Sequence, residues 1–147
     1  MAPLIAIVGP TASGKTELAI ELALQFHGEI INADSRQVYR EMDIGTAKPT
    51  PEERTMAPHH LLDILSPGET FGLGSFLGQA RDAVKEIRYL GNRPMVVGGT
   101  GQYIWALLED WDVPEVPPDQ EFRKARQAQA DNGGAPDLYL ELKQLDP

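Results

Sequence analysis

The chain of 147 residues contains no cysteine, which excludes disulfide scaffolds, thiolate catalysis and cysteine-ligated zinc. Basic charge is also scarce: 22 Asp and Glu outweigh 13 Lys and Arg, for a formal net charge of −9. Diffuse attraction to nucleic acid or to an anionic lipid surface is thereby excluded, and any contact with RNA has to be local. No apolar run is long enough to span a bilayer. Residues Met1 to Val8 are apolar but carry no cationic leader, and they reach the Gly9-Pro10 turn too soon for a signal peptide. The expectation is a cytoplasmic protein with no membrane partner, and no feature predicts a protein partner. What is present is globular in composition, with 41% hydrophobic residues and 14 glycines, enough for one ordinary domain with a core.

Leu4 to Val8 is an unbroken aliphatic run ending at Gly9, the pattern of a parallel strand buried on both faces. A helix follows from Lys15 to Phe26, where Leu18, Leu22 and Phe26 recur one turn apart beside Ala19 and Ala23 and are expected to pack. His27-Gly28 ends it, and Glu29 to Ala33 reads as a second strand that delivers Asp34 at its carboxyl end. Recurrent Gly and Pro from Asp43 to Leu73 predict a long irregular connection with one short strand around Leu61 to Leu65. Ser75 is the expected N-cap of a helix carrying Phe76, Ala80, Ala83, Ile87 and Leu90 on one face, closed by Gly91. Pro94 to Val97 is a third strand, followed by Gly98-Gly99-Thr100-Gly101 and an apolar helix from Tyr103 to Leu108. Phe76, Tyr103, Trp105 and Trp111 are expected in the core.

The strand-turn-helix grammar, used twice, predicts an α/β fold: a P-loop NTPase-like parallel sheet with flanking helices, the carboxyl ends of its strands on one edge. Asp34 and Thr100 should then face the first glycine loop. Composition shifts after about Glu109, with net charge −6 over residues 109–147 against −3 before it. Residues 1–110 are therefore read as a P-loop core and 111–147 as the start of a small helical insertion. Two short helices are expected there, Asp119 to Asp131 and Asp137 to Leu145, with Leu138, Leu142 and Leu145 as an apolar stripe lacking a partner.

Gly9-Pro10-Thr11-Ala12-Ser13-Gly14-Lys15-Thr16 matches G-x-x-x-x-G-K-[ST] between a buried strand and an amphipathic helix. Glycines let backbone N–H groups turn toward phosphate oxygens, the helix N-terminus adds a positive field, Lys15 bridges the outer phosphates and Thr16 supports Mg²⁺. Such a loop binds a diphosphate or a triphosphate, a nucleotide included. Asp34, at the end of the next strand, has three open roles: Mg²⁺ ligand, base for the acceptor of a transferred group, or N-cap of a helix beginning near Ser35. The surrounding Asp34-Ser35-Arg36-Gln37-Val38-Tyr39-Arg40 is polar, basic and aromatic in an acidic chain, a place where RNA could touch or an exposed turn. The third strand ends without an acid, so an ordinary Walker B residue is not visible. Adjacent His59 and His60 point to opposite faces of a strand and are poorly placed to share a metal.

These motifs, together with Met42-Asp43-Ile44-Gly45-Thr46-Ala47-Lys48-Pro49, His59-His60-Leu61-Leu62-Asp63 and Val97-Gly98-Gly99-Thr100-Gly101-Gln102-Tyr103, resemble the tRNA dimethylallyltransferase (tRNA isopentenyltransferase) family from Leu4 to about Pro147. The resemblance implies transfer of a five-carbon allylic group from dimethylallyl diphosphate to N6 of an adenosine next to the tRNA anticodon. It implies that Gly9 to Thr16 cradle the diphosphate with Mg²⁺, that Asp34 and Thr100 are catalytic, and that Asp34, Ser35, Arg36, Gln37, Thr100 and Arg123 contact tRNA. The family pattern continues beyond Pro147 through the rest of a helical insertion and a basic C-terminal part, so a truncated chain is expected. Two rival readings are a small-molecule kinase of the shikimate-kinase type and a nucleotide-binding fragment without catalysis. Against the kinase stand a single Asp34 followed by Ser instead of an Asp-x-Asp pair, and the lack of an arginine-rich lid.

Overall fold

Four parallel strands, β1 (Ile5–Val8), β2 (Gly28–Asn32), β3 (His59–His60) and β4 (Arg93–Gly98), form one sheet in the order β1-β4-β2-β3. The computed structural model describes residues 2–113, 117 and 119–146, in two compact units, Met1–Pro114 and Glu115–Pro147. In the first unit, β4 lies between β1 and β2, with Val8 opposite Gly98 and Asn32 opposite Val97. The strand ends that carry the glycine loop, Asp34 and Thr100 therefore share one edge.

Because side chains alternate across a strand, β2 and β4 feed two cores. Ile30, Met95 and Val97 pack with Ala19, Ile20 and Ala23 of α1 (Lys15–Phe26). Ile31 and Val96 pack on the other face with Phe76, Leu77 and Ile87 of α3 (Leu73–Tyr89) and with Ile104 and Leu107 of α4 (Gly101–Leu108). Every residue of β2 is buried, as its central place requires. β1 departs from expectation: Ile7 is buried while Ala6 and Val8 are exposed, because β4 is its one strand neighbour among the described residues.

The stripe of α1 that packs is also rotated from the one expected. Ala19, Ile20 and Ala23 are buried, whereas Leu18 and Phe26 are exposed; two alanines let the helix approach the sheet more closely than leucines would. α3 begins at Leu73 with Gly72 as its N-cap, so Ser75 lies inside the helix, and Leu90 is an exposed C-cap. Phe76 and Tyr103 are core and stack at 4.3 Å between centroids. Trp105 and Trp111, expected beside them, are 59% and 40% exposed.

The connection after β2 holds two surprises. A six-residue helix, α2 (Pro51–Met56), is closed by a capping box in which the Thr50 hydroxyl accepts from the Glu53 N–H and the Glu53 carboxylate accepts from the Thr50 N–H. The short strand of this connection, β3, falls on His59–His60 instead of Leu61 to Leu65, because Leu61 and Asp63 adopt positive φ (63° and 53°) and break the extended run. Leu65 keeps a single parallel bridge to Tyr39.

The second unit contains α5 (Gln120–Gln129), three residues shorter than the range read in the sequence, and α6 (Ala135–Leu145), which starts two residues earlier than expected and ends at the expected Leu145. Asp119 caps α5 by accepting from the Phe122 N–H at 2.9 Å. Residues 130–134 form a wide kinked turn in which Gly133 has φ 88°, and Arg126 pairs with both carboxylate oxygens of Glu141 at 2.9 and 2.8 Å. No residue of α5 or α6 is buried, and Leu142 and Leu145 of the apolar stripe are exposed.

Candidate functional site

The turn from Gly9 to Thr16 climbs from the end of β1 into the first turn of α1. Gly14 is the N-cap, with φ 80° and ψ 11°, a left-handed conformation that glycine takes without penalty. The loop opens on a cavity of about 270 Å³ whose walls include Thr11 through Thr16, Asp34, Gln37, Thr46 and Gly98. Sequence-distant residues thus meet at the carboxyl edge of the sheet, next to the positive end of a twelve-residue helix. Gly9, Pro10, Ser35, Arg36 and Thr100 are outside that lining. Arg123 lies on α5, in the second unit.

Asp34 is held by its own turn. Its Oδ1 accepts from the backbone N–H of Arg36 at 2.8 Å and of Gln37 at 3.4 Å, while residues 35–38 form a turn and not the start of a helix. Both bonds fall on one oxygen, which leaves Oδ2 for a ligand. The turn is fixed from two sides. Thr100 Oγ1 accepts from the Ser35 N–H at 3.0 Å, so its hydroxyl acts on the Asp34 turn. Buried Asn32 accepts from the Asp34 N–H at 3.2 Å through Oδ1 and donates through Nδ2 to the Leu61 carbonyl at 3.0 Å.

Gly98 allows the approach of the two strand ends. A Cβ there would meet the Ala33 carbonyl oxygen at 2.3 Å and carbon at 2.4 Å. Without it, the Ala33 N–H donates to the Val97 carbonyl at 2.8 Å and the Thr100 N–H to the Ala33 carbonyl at 3.2 Å. The glycine at the start of the second turn thus permits a close backbone approach.

Around the cavity lies a layer of residues to which the sequence assigned no role. The Lys48 side chain is 1% exposed, and its Nζ donates to the Tyr39 carbonyl at 2.6 Å, Asp63 at 2.7 Å and Asp43 at 2.8 Å. Asp63 also pairs with Arg54. Burial works against the charge of Lys48, yet its hydrogen bonds to Asp43 and Asp63 outweigh that cost and hold its pKa above that of a free lysine. The Asp63 carboxyl is likewise held below its ordinary value by Lys48 and Arg54, against the opposing effect of burial. A polar residue ending an aliphatic strand, Asn32, and a Lys flanked by prolines and acids were the available signals.

The two histidines do separate to opposite faces. The His59 ring lines a small recess behind Thr16 and Ala19 and donates Nδ1–H to the Ala57 carbonyl at 2.8 Å, whereas His60 Nε2 meets buried Glu29 at 2.7 Å. Burial lowers the His59 pKa. Among the described residues no three His, Cys, Asp or Glu side chains gather as a metal cluster, and no helix is long and apolar enough to cross a membrane.

The profile of IPP transferases matches residues 37–147, and that of isopentenyl transferases matches residues 2–62. The chain belongs to the IPP transferase family. It is 55% identical to a tRNA dimethylallyltransferase of Roseiflexus sp. (strain RS-1), over 100% of this chain and 48% of that protein. With a tRNA dimethylallyltransferase of Chloroflexus aurantiacus the identity is 52%, over 100% and 50%. Among solved structures it is similar to a full-length tRNA isopentenylpyrophosphate transferase from Bacillus halodurans, with a TM-score of 0.75 and 42% identity over 100% of this chain and 48% of that one. It is also similar to a eukaryotic dimethylallyltransferase acting on tRNA, with a TM-score of 0.74 and 34% identity over 82% and 31% of the two chains. The chain spans about half the length of the curated relatives it matches. Membership of the IPP transferases sets the kinase reading aside and agrees with the parallel α/β architecture.

Proposed function

We propose that this chain holds the donor and the proton acceptor in the transfer of a dimethylallyl group from dimethylallyl diphosphate to N6 of an adenosine beside the tRNA anticodon, in the cytoplasm. The observation that carries the reading is the shared cavity: the phosphate-type loop Thr11 to Thr16 and the half-occupied carboxylate of Asp34 line the same 270 Å³ space. An allylic C–O bond breaks when the departing diphosphate charge is stabilised, and backbone N–H groups, the α1 N-terminus and Lys15 supply that field. The N6 lone pair then forms the new C–N bond, and the amine becomes acidic as it does so. Asp34 Oδ2 takes the released proton, a task within reach of a weak base only because bond formation acidifies the nitrogen.

Thr16, in the first turn of α1 and on the cavity wall, offers a hydroxyl of the hard-oxygen type that Mg²⁺ takes, alongside the oxygens of a diphosphate. Bound there, Mg²⁺ would neutralise part of the leaving group's charge. Reaching N6 requires the adenine to leave its stack, and Ser35, Arg36 and Gln37 are proposed to grip the tRNA around it; Arg123, in the second unit, is proposed as a separate tRNA contact. Transfer of label from radioactive dimethylallyl diphosphate to unmodified tRNA tests the reading, in this chain and in a form extended beyond Pro147. Labelled tRNA in either form is the expected result. Diphosphate binding without labelling in both would favour the non-catalytic alternative.

A further inference from the structure

The motif Met42 to Pro49 is used by neither the phosphate loop nor the proposed proton acceptor, yet it supplies part of the cavity wall. Gln37 Nε2 donates to the carbonyls of Thr46 at 3.0 Å and Ala47 at 3.2 Å. Backbone carbonyls only accept, so the amide nitrogen must face them and the orientation of the side chain is determined by the chain itself. Gln37 lines the cavity, and with Nε2 taken by these carbonyls its Oε1 has no partner among the described residues; that oxygen accepts hydrogen bonds without being able to donate one. The two carbonyls stand where they do because residues 43–48 are clasped: Lys48 Nζ gathers Asp43, Asp63 and the Tyr39 carbonyl, and the Lys48 N–H donates to the Asp43 carbonyl at 3.4 Å.

We propose that Lys48 is a positioning residue for the acceptor: its clasp on Asp43 and Asp63 holds the Thr46 and Ala47 carbonyls against the Gln37 amide, so that the cavity meets an incoming base with a fixed acceptor oxygen and selects one that offers N–H. The inference rests on the transfer reading of the cavity for its consequence, but the clasp itself is testable without it. A buried network of this kind acts as a unit, since each bond orients the next.

Two measurements decide it. In this chain, the Gln37 side-chain amide protons, observed by nitrogen-edited NMR, should exchange slowly with solvent; Lys48→Met, which keeps volume and removes the ammonium, should abolish that protection. Asp43→Asn, at a surface-exposed partner, should weaken it while leaving the fold intact if Lys48→Met does not fold. Protection that is absent in the unaltered chain, or unchanged in Asp43→Asn, overturns the clasp. In the form competent for transfer, Lys48→Met should raise the KM for tRNA at least tenfold while the KM for dimethylallyl diphosphate stays within twofold. A double substitution of Lys48→Met with Gln37→Met should be no worse than Gln37→Met alone, because Lys48 acts through Gln37. Additive losses, or equal losses for both substrates, overturn the positioning role. Failure of the unaltered protein to transfer would count against the function and leave the exchange measurement to judge the clasp.

Discussion

Thr100 and Ser35, 65 residues apart in sequence, are joined by one hydrogen bond of 3.0 Å from the Ser35 N–H to the Thr100 hydroxyl oxygen. The bond ties the turn after β4 to the turn that presents Asp34, and under the proposed function Thr100 would act by positioning that carboxylate. Thr100→Val preserves shape and leaves the Ser35 N–H without its partner, a loss of about 1 kcal/mol in stability. The larger expected effect is on kcat, with the KM for the diphosphate unchanged. Thr100→Ser should restore kcat, and a substitution series in which Ser behaves like Val would refute the role.

Asp34→Asn keeps an oxygen able to accept from Arg36 and Gln37 but removes the base. Transfer should fall by about 10²- to 10⁴-fold, the usual worth of a positioned general base. Diphosphate affinity, followed by calorimetry, should persist. Unchanged turnover would exclude Asp34 as the proton acceptor.

Lys15 stands at the start of α1 and, in this structure, folds its ammonium onto the Pro10 carbonyl at 2.5 Å. Lys15→Ala should weaken diphosphate binding by about tenfold or more, as expected for loss of a hydrogen bond to a charged group. An unaltered titration curve would count against the phosphate assignment.

Gly98→Ala would place a methyl group against the backbone of Ala33. No side chain can move aside there, so the strand ends must part. A destabilisation of about 1 to 3 kcal/mol is expected, with loss of transfer exceeding what the fall in stability explains, because Asp34 follows Ala33. Denaturant unfolding and single-turnover kinetics on the same preparation separate the two effects.

Burial holds the His59 pKa below its ordinary value. The unfolded chain therefore protonates first as pH falls, and stability should decline from about pH 6.5 downward until the native ring also titrates. Above that range both states are neutral at this ring and its contribution is flat. His59→Asn, whose amide can still donate toward Ala57, should remove this part of the slope. A pH series of unfolding midpoints that is parallel in the two proteins would show that His59 does not carry it.

The glycine turn from Gly9 to Thr16, the helix Lys15–Phe26, the strand delivering Asp34 and the turn after β4 were legible in the sequence, because each depends on local patterns: a glycine spacing, a helical period, an aliphatic run. The capping box at Thr50 and Glu53 is equally local, a Thr-x-x-Glu spacing closed within one turn. Which faces those elements bury was a different matter. Leu18 and Phe26 match the helical period as well as Ala19 and Ala23 do, and only the distance between α1 and the sheet selects the alanines. Trp105 and Trp111 look like core residues until the neighbours of α4 are known. The Lys48 clasp, the Asn32 brace and the Thr100–Ser35 bond join positions that share no sequence period, so they exist only once the chain has closed on itself. Sequence alone therefore determined which groups the site contains; the tertiary structure decided how they are aimed, since hydrogen-bond direction and close packing are properties of neighbours in space.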